Sequence, residues 1–438
     1  MSSQISRNSD NTITVSVTFS PGRSMLETEE LLQAALNEAG ALATGECLKD
    51  FDSDGGTIVI AGKKLTVKGG GKMPKKYQTP YGETTIDRFV YQSSAGGAVY
   101  CPLEANARIV RTATPLLAKQ VSFKYGICDS SEVVADFAQH GRTLSRSYVR
   151  EISADVASIR SEKQDVWNFE IPSAAPGDQI KTIAVGVDGT SVLLAEDGWR
   201  QVMVGTIALY NQDSDRVDTI YIANAPESGK ATFFKKMEHE LERVRERYPD
   251  ARYVGIADGA HDGWNWLQQH TSWQILDFWH ASEYINSVAP AFERSPGKQK
   301  AWIEDACHRL KHDYGAALAI LEELRQVRET SALTKAIKDN VDKTITYLEN
   351  QIERMNYPVY KAMGFPIGSG VTEAACKCIA KERLCGSGMR WSQNGSEQVL
   401  SLRTLIKSTN RWNSFWQKIS QHGFSKITRR PRPLSNKK

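Results

Sequence analysis

The chain has 438 residues, 40% hydrophobic and 24% charged, with a net charge of +4. That length predicts roughly two to four domains and a buried core, and that balance excludes a mostly disordered, collagen-like or membrane-spanning protein. No stretch approaches the ~18 unbroken apolar residues of a membrane span, MSSQISRNSDNT lacks the apolar core of a secretory signal, and seven scattered cysteines argue for a reducing cytoplasm rather than a disulfide framework.

In chain order, residues 1–55 read as an N-terminal helical segment. A strand is expected at 12–19. A helix is expected at 25–43, from the spacing of Leu26, Leu31, Leu32, Ala35 and Leu36, with Gly45 soon after. Residues 56–128 change texture. TIVIAGKKLTVKGGGK and GETTIDRFVYQ set β-branched residues between glycines and predict short antiparallel strands. Lys63, Lys64, Lys68, Lys72, Lys75 and Lys76 make this region basic, as a DNA-contacting surface or as solvated strand faces. Residues 129–165 predict two helices, 130–140 and 144–159, with a turn at Gly141. Arg142, Arg146 and Arg150 crowd the start of the second, the outline of a helix-turn-helix or of a plain helical hairpin. Two prolines and a glycine in 166–181 predict a linker.

Beyond it the pattern is α/β. Strands are expected at 182–187, 201–210 and 217–223, a helix at 227–248, a strand at 251–257, a helix at 261–270, a strand at 273–276 and a helix from 281. Residues 289–361 predict an all-helical insertion. Residues 401–438 read as a basic C-terminal tail. From 398 to 438 there are ten Lys or Arg and no Asp or Glu, ending TRRPRPLSNKK, a footprint of a polyanion partner or of a solvated tail. Trp412, Phe415 and Trp416 interleave with Arg411 and Lys418. Their spacing fits the apolar face of a helix better than a surface for stacking and phosphate binding.

Three carboxylates stand out. Asp188 in TIAVGVDGT and Asp258 in ARYVGIADGA each follow an apolar strand and precede glycine. Functional groups in open α/β sheets gather at the carboxyl ends of strands, and a desolvated carboxylate there needs a partner or a cation. A single Asp-Gly reads first as a turn, but two at equivalent points of one sheet suit a hard divalent cation such as Mg2+. Glu373, in FPIGSGVTEAACKCIAKERL, falls in the first turn of a helix expected at 371–384. There it complements the helix dipole or supplies the third carboxylate.

This order of elements and acids resembles the RNase H-like fold of DDE transposases and retroviral integrases. VGVDGT, ADGAHDGWNWL, ILDFWHASEYI and GSGVTEAACK with KERLCGSGMRWS are similar to motifs of bacterial insertion-sequence transposases of the ISKra type, relatives of the Mutator-like group. The likeness runs from about residue 75 to 412 and is strongest over 182–392. It implies an α/β RNase H-like mixed sheet over 181–288 and 362–400, interrupted by the helical insertion. That domain would be preceded by a degenerate zinc-ribbon-like module at 56–128 and the helix-turn-helix-like segment. It also implies two Mg2+ ions per site, with Mn2+ as a substitute, held by Asp188, Asp258 and Glu373. Asp262 and Asp277 remain alternatives to Asp258.

Asp277 and His280 form D-x-x-H, where the resemblance places His280 near the scissile phosphate or the displaced strand; a helix cap by Asp277 is the plain alternative. Arg383, Arg390 and Trp391 match the family's Arg and Gly-Met-x-Trp stretch, implying phosphate pairing and base stacking or core packing. The chain departs from the family at Cys101, which keeps its proline but lacks the partner cysteines, so no structural zinc is expected. Cys376, Cys378 and Cys385 are expected to be packing residues.

The function implied is transposition: binding of terminal inverted repeats by residues 1–165 with Arg142, Arg146 and Arg150, non-specific, salt-dependent backbone contacts by the helical insertion and the basic C-terminal stretch with Arg411, phosphodiester hydrolysis, and joining of 3′-OH ends to target DNA. A homodimer or larger synaptic assembly is implied, in the bacterial cytoplasm at the nucleoid, with no membrane. The alternatives are an RNase H-like DNA nuclease without strand transfer and a non-catalytic transposase-derived DNA-binding protein.

Overall fold

The computed structural model describes residues 2–259, 261–330 and 332–424. Two compact units divide them, the first comprising 2–169 with 401–406 and 410–424, the second the described residues of 170–400 with 407–409. The first crossing falls inside the expected linker.

The first unit opens with an antiparallel pair, β1 (Ser2–Arg7) and β2 (Ile13–Thr18). Only the second was legible in the sequence, because β1 lacks an apolar alternation. Helix α1 (Met25–Leu48) is capped by the Ser24 hydroxyl, which accepts from the Glu27 amide. It runs past Gly45, the expected stop. A Cβ there would collide with the Thr84 hydroxyl, so this glycine admits a neighbouring strand rather than ending the helix. Strands β3 (Ile58–Ile60), β4 (Lys63–Val67), β5 (Met73–Gln78), β6 (Glu83–Arg88), β7 (Tyr91–Ser93) and β8 (Gly96–Tyr100) follow. They form a four-stranded sheet ordered β3-β4-β7-β8 and the hairpin β5-β6. Beside them α2 (Pro102–Asn106) closes a small core of Leu48, Tyr77, Ile86, Cys101 and Leu103.

Helices α3 (Pro115–Ile127), α4 (Ser130–Gln139) and α5 (Arg146–Glu162) complete this stretch. Asp129 and Glu132 form a capping box at the start of α4, and Ser145 caps α5 through the Tyr148 amide. Val133 and Phe137 of α4 and Val149, Ile152 and Val156 of α5 are buried, as their spacing predicted.

The second unit is a mixed α/β fold. Its sheet contains β9 (Ile180–Leu194), β10 (Gly198–Asn211), β11 (Arg216–Asn224), β12 (Arg252–Ala257) and β13 (Trp273–Leu276), in the order β11-β10-β9-β12-β13. β9, β10 and β11 are antiparallel neighbours, while β12 and β13 join parallel to β9. Between them run α6 (Ala231–Arg247) and α7 (His261–His270). A Cβ at Gly205 would strike Met237 of α6, and one at Gly255 would meet Thr271 and Leu267 beside α7. Because residues in register share a face, α6 and α7 cover the same side of the sheet.

Helices α8 (Phe278–Phe292), α9 (Pro296–His312), α10 (Ala316–Thr330), α11 (Lys335–Gln351) and α12 (Tyr357–Ala362) form the insertion and its flanks, with no strand among the described residues. The chain returns through α13 (Gly370–Ala375), a π-helical stretch Cys376–Lys381, and α14 (Glu382–Leu384). Helix α15 (Gln393–Lys407) contributes residues to both units, and α16 (Arg411–His422) belongs to the first. Residues 401–424 are therefore mainly helical, not a tail. Trp412, Phe415 and Trp416 are buried with Phe123 and Trp167 around them, which removes the stacking surface considered for them. TRRPRPLSNKK lies outside the described residues. No helix among those described is long and apolar enough to cross a membrane.

Candidate active site

Asp188 lies inside β9, not at its end as expected, because β10 keeps pairing with β9 as far as Leu194. It does sit where β12 leaves β9. The last parallel partners are Gly186 and Ile256, so Asp188 and Asp258 stand two residues beyond at the same level. β12 and β13 end with Ala257 opposite Leu276, and the Asp277 amide donates to the Ala257 carbonyl at 3.0 Å. Asp277 therefore continues the register beside Asp258. Asp188 inside β9, Asp258 just after β12 and Asp277 just after β13 thus stand at one level of three adjacent parallel strands about 4.8 Å apart, and continued register puts them on one face.

That face is the one α13 covers. A Cβ at Gly186 would collide with the Thr372 hydroxyl, and Thr372 and Thr206 hydroxyls pair at 2.7 Å in the core. Glycine in the strand and threonine in the helix thus seat α13 directly on β9 and β10. The helix carries Glu373 one residue beyond that anchor. Ser369, just before α13, has its hydroxyl 2.6 Å from Asp277 Oδ2 and 2.7 Å from Glu373 Oε1. A hydroxyl has one proton, so it donates to one of the two carboxylates at a time. Asp277 Oδ1 also accepts from the Trp279 amide at 2.9 Å, so Asp277 caps α8 and joins the acidic cluster together.

The cluster is electrostatically strained. Burial pushes the Asp188 carboxyl above the usual range; a hydrogen bond from the Cys376 thiol at 3.3 Å and one from the Gly189 amide oppose this, while Asp258 adds to it. For Glu373 the Ser369 hydroxyl draws the pKa down, but burial and the charges of Asp277 and Asp188 more than offset it and the net shift is upward. The same Asp188 charge, with burial acting first, raises the Cys376 thiol. Lys381, at the end of the π-helical stretch, is near enough to favour ionised Asp188. Carboxylates placed so that Asp188 and Glu373 are both raised fit a hard divalent cation, which would relieve the repulsion. Among the described residues no three acidic, His or Cys side chains are already drawn together as a closed metal set.

The other expected site residues separate. Half-exposed His280 stands in the first turn of α8, its Nδ1 3.3 Å from Glu283 Oε2 and its ring beside Tyr284 and Tyr347. Tyr347 in turn donates to the Asp258 carbonyl at 2.9 Å. Arg383 is buried against Trp391, its guanidinium 5.1 Å from the ring centre. Half-buried Trp391 donates through Nε1 to the Leu384 carbonyl and bridges to Leu194 at the end of β9; Arg390 is exposed. In the first unit Arg142 is buried and donates to Gln78, and Arg411 is buried with its guanidinium 5.5 Å from the Phe169 ring centre. Arg146 and Arg150 remain exposed. Of the three clustered cysteines, Cys376 is buried, Cys378 half-buried and Cys385 exposed, against the packing role expected of it. The side chain of Asp262 lies outside the described residues.

Ser369 was not among the expected site residues. Asp277 was expected as a cap or as a replacement for Asp258, whereas the register sets the two side by side. No family model matches the chain, and no curated protein matches it.

Proposed function

We propose that the chain is a DDE transposase of an insertion sequence, with the second unit as an RNase H-like catalytic domain. The observation that carries this reading is the row of Asp188, Asp258 and Asp277 in register on one face, with Glu373 brought to it by a helix seated on Gly186. The element order of three antiparallel strands, helix, strand, helix, strand agrees with the RNase H-like resemblance. A structural role does not need Asp188 and Glu373 held with raised pKa values beside two further carboxylates; phosphodiester chemistry does.

Asp188, Asp258 and Glu373 would hold Mg2+, which supplies an activated water or 3′-OH and stabilises the leaving oxygen of an in-line displacement. Ser369 and Asp277 fix the Glu373 carboxylate. His280, in the first turn of α8 three residues after Asp277, would donate to a non-bridging phosphate oxygen. No covalent enzyme intermediate is required. Exposed Arg146 and Arg150 on α5 would contact the backbone of the element ends, with a strongly salt-dependent affinity.

The test is a joining assay with Mg2+, using DNA that carries the sequences flanking the coding region and a separate target duplex. Joined products establish a transposase. Cleavage without joining transfers the site to an RNase H-like nuclease. Salt-dependent DNA binding with no metal-dependent cleavage leaves a non-catalytic DNA-binding protein.

A further inference from the structure

Helix α9 carries positive charge in two different settings. Arg309 is matched by Asp305 and Glu323, and on α10 Arg325 is matched by Glu322 and Glu349 and Arg328 by Asp342. His308, Lys311 and His312 lie elsewhere on α9. His308 and His312 stack with ring centres 4.7 Å apart, and Lys361 Nζ at the end of α12 comes within 3.5 Å of His312 Nδ1. The crowding registers on His312: partial desolvation, Lys361, His308 and Lys311 lower its pKa, against Asp313. Lys311 lies over two rings, 5.4 Å from the centre of Phe278 and 5.9 Å from that of Trp279.

Trp279 links this group to the carboxylates. Its amide is bound by Asp277, and its ring closes on Gly368, where a Cβ would lie 3.1 Å from Cδ1. Yet the side chain is 63% exposed, an open indole immediately beside the loop that carries Ser369. From the acidic row outward the surface runs indole, Lys311, histidine pair, Lys361. A base paired inside a duplex has both faces covered by its neighbours and cannot use a lone indole; an unpaired base can stack on it, with cations spaced to take the following phosphates.

We propose that this strip is the track of a single DNA strand leaving the carboxylate site, with an unpaired base stacked on Trp279 and its following phosphates held by Lys311, His312 and Lys361. The assignment rests on the reading of the acidic row as a phosphodiester-processing site, and deepens it by giving the substrate an unpaired stretch next to the scissile phosphate.

The test uses the full chain in EDTA and measures fluorescence anisotropy with two probes, a blunt duplex and the same duplex with a short single-stranded extension. The wild type binds the extended probe more tightly. Trp279→Ala loses about tenfold on the extended probe and nothing on the blunt one, while Trp279→Phe recovers part of the loss. Replacing Lys311 and Lys361 together by alanine reduces the salt slope for the extended probe by about 1.4, roughly 0.7 for each phosphate no longer neutralised. Equal affinity of Trp279→Ala and wild type for the extended probe, or equal losses on both probes, would overturn the proposal. A Trp279-dependent preference in a protein that never cuts with Mg2+ would keep the strip and remove the proposed reaction. Metal-dependent cutting without that preference would do the reverse.

Discussion

The Ser369 hydroxyl lies within hydrogen-bond distance of both Glu373 and Asp277, so its removal frees Glu373 and takes a partner from Asp277 while leaving Asp188 and Asp258 untouched. Ser369→Ala is expected to lower metal-dependent cleavage about 10–100-fold, the range typical when a metal ligand is deprived of its supporting partner, with the Mg2+ concentration for half activity rising. Ser369→Thr keeps the hydroxyl and recovers most of the activity. A thermal melt unchanged in both variants separates positioning from folding. The raised pKa of Asp188 has a consequence for metal-free protein. Its folded pKa exceeds the ordinary 3.8, so its stabilising contribution is complete below about pH 4 and is lost as pH rises through the folded value. In EDTA at pH 7, Asp188→Asn should therefore melt above wild type, and the gap should close as pH falls below about 4. Mg2+ should raise the wild-type melt more than that of the variant. A variant less stable than wild type at pH 7 in EDTA would show that the carboxylate is not strained.

At the scale of elements, the decisive contact is α13 on β9 and β10. Gly186→Ala places a methyl against Thr372 and should cost about 1–3 kcal/mol in urea unfolding. It should also abolish cleavage, because Glu373 moves with the helix; full activity would mean that α13 does not set Glu373. The strands of this unit were legible in the sequence because each is an apolar run bounded by turn residues. The acids at Asp188 and Asp258 were legible because each precedes glycine after such a run. What pattern alone does not carry is register. Nothing in ILDFWH says that Asp277 lands beside Asp258, since that depends on which residues of β12 and β13 pair. Ser369 was hidden in a glycine loop read only as a tight turn. Arg142 and Arg411 were misplaced because a basic residue signals solvent on average, while the Gln78 side-chain Oε1 and the Phe169 ring receive these two in the interior.

For the whole molecule, the first unit is built from both ends of the chain: 401–406 and 410–424 return to it, and Trp412, Phe415 and Trp416 are buried there. An isolated 1–169 fragment should then lack a cooperative melt, and a 401–424 peptide supplied in trans should restore part of it. A fragment as stable alone as in the full chain would contradict this division. Fold class was legible at this scale from the alternation after residue 181. The return of the C-terminal helices was not, since a stretch without acidic residues reads as a tail until its aromatics are seen to be covered. The most direct measurement of the central claim compares Mg2+-dependent cleavage of end-bearing DNA by wild type and Glu373→Gln. The account predicts metal-dependent nicking by the wild type, and for the variant a loss of at least about 10²-fold with unchanged DNA binding. Full cleavage by Glu373→Gln, or wild-type cleavage indifferent to EDTA, would contradict the assignment of the acidic row as the site of the chemistry.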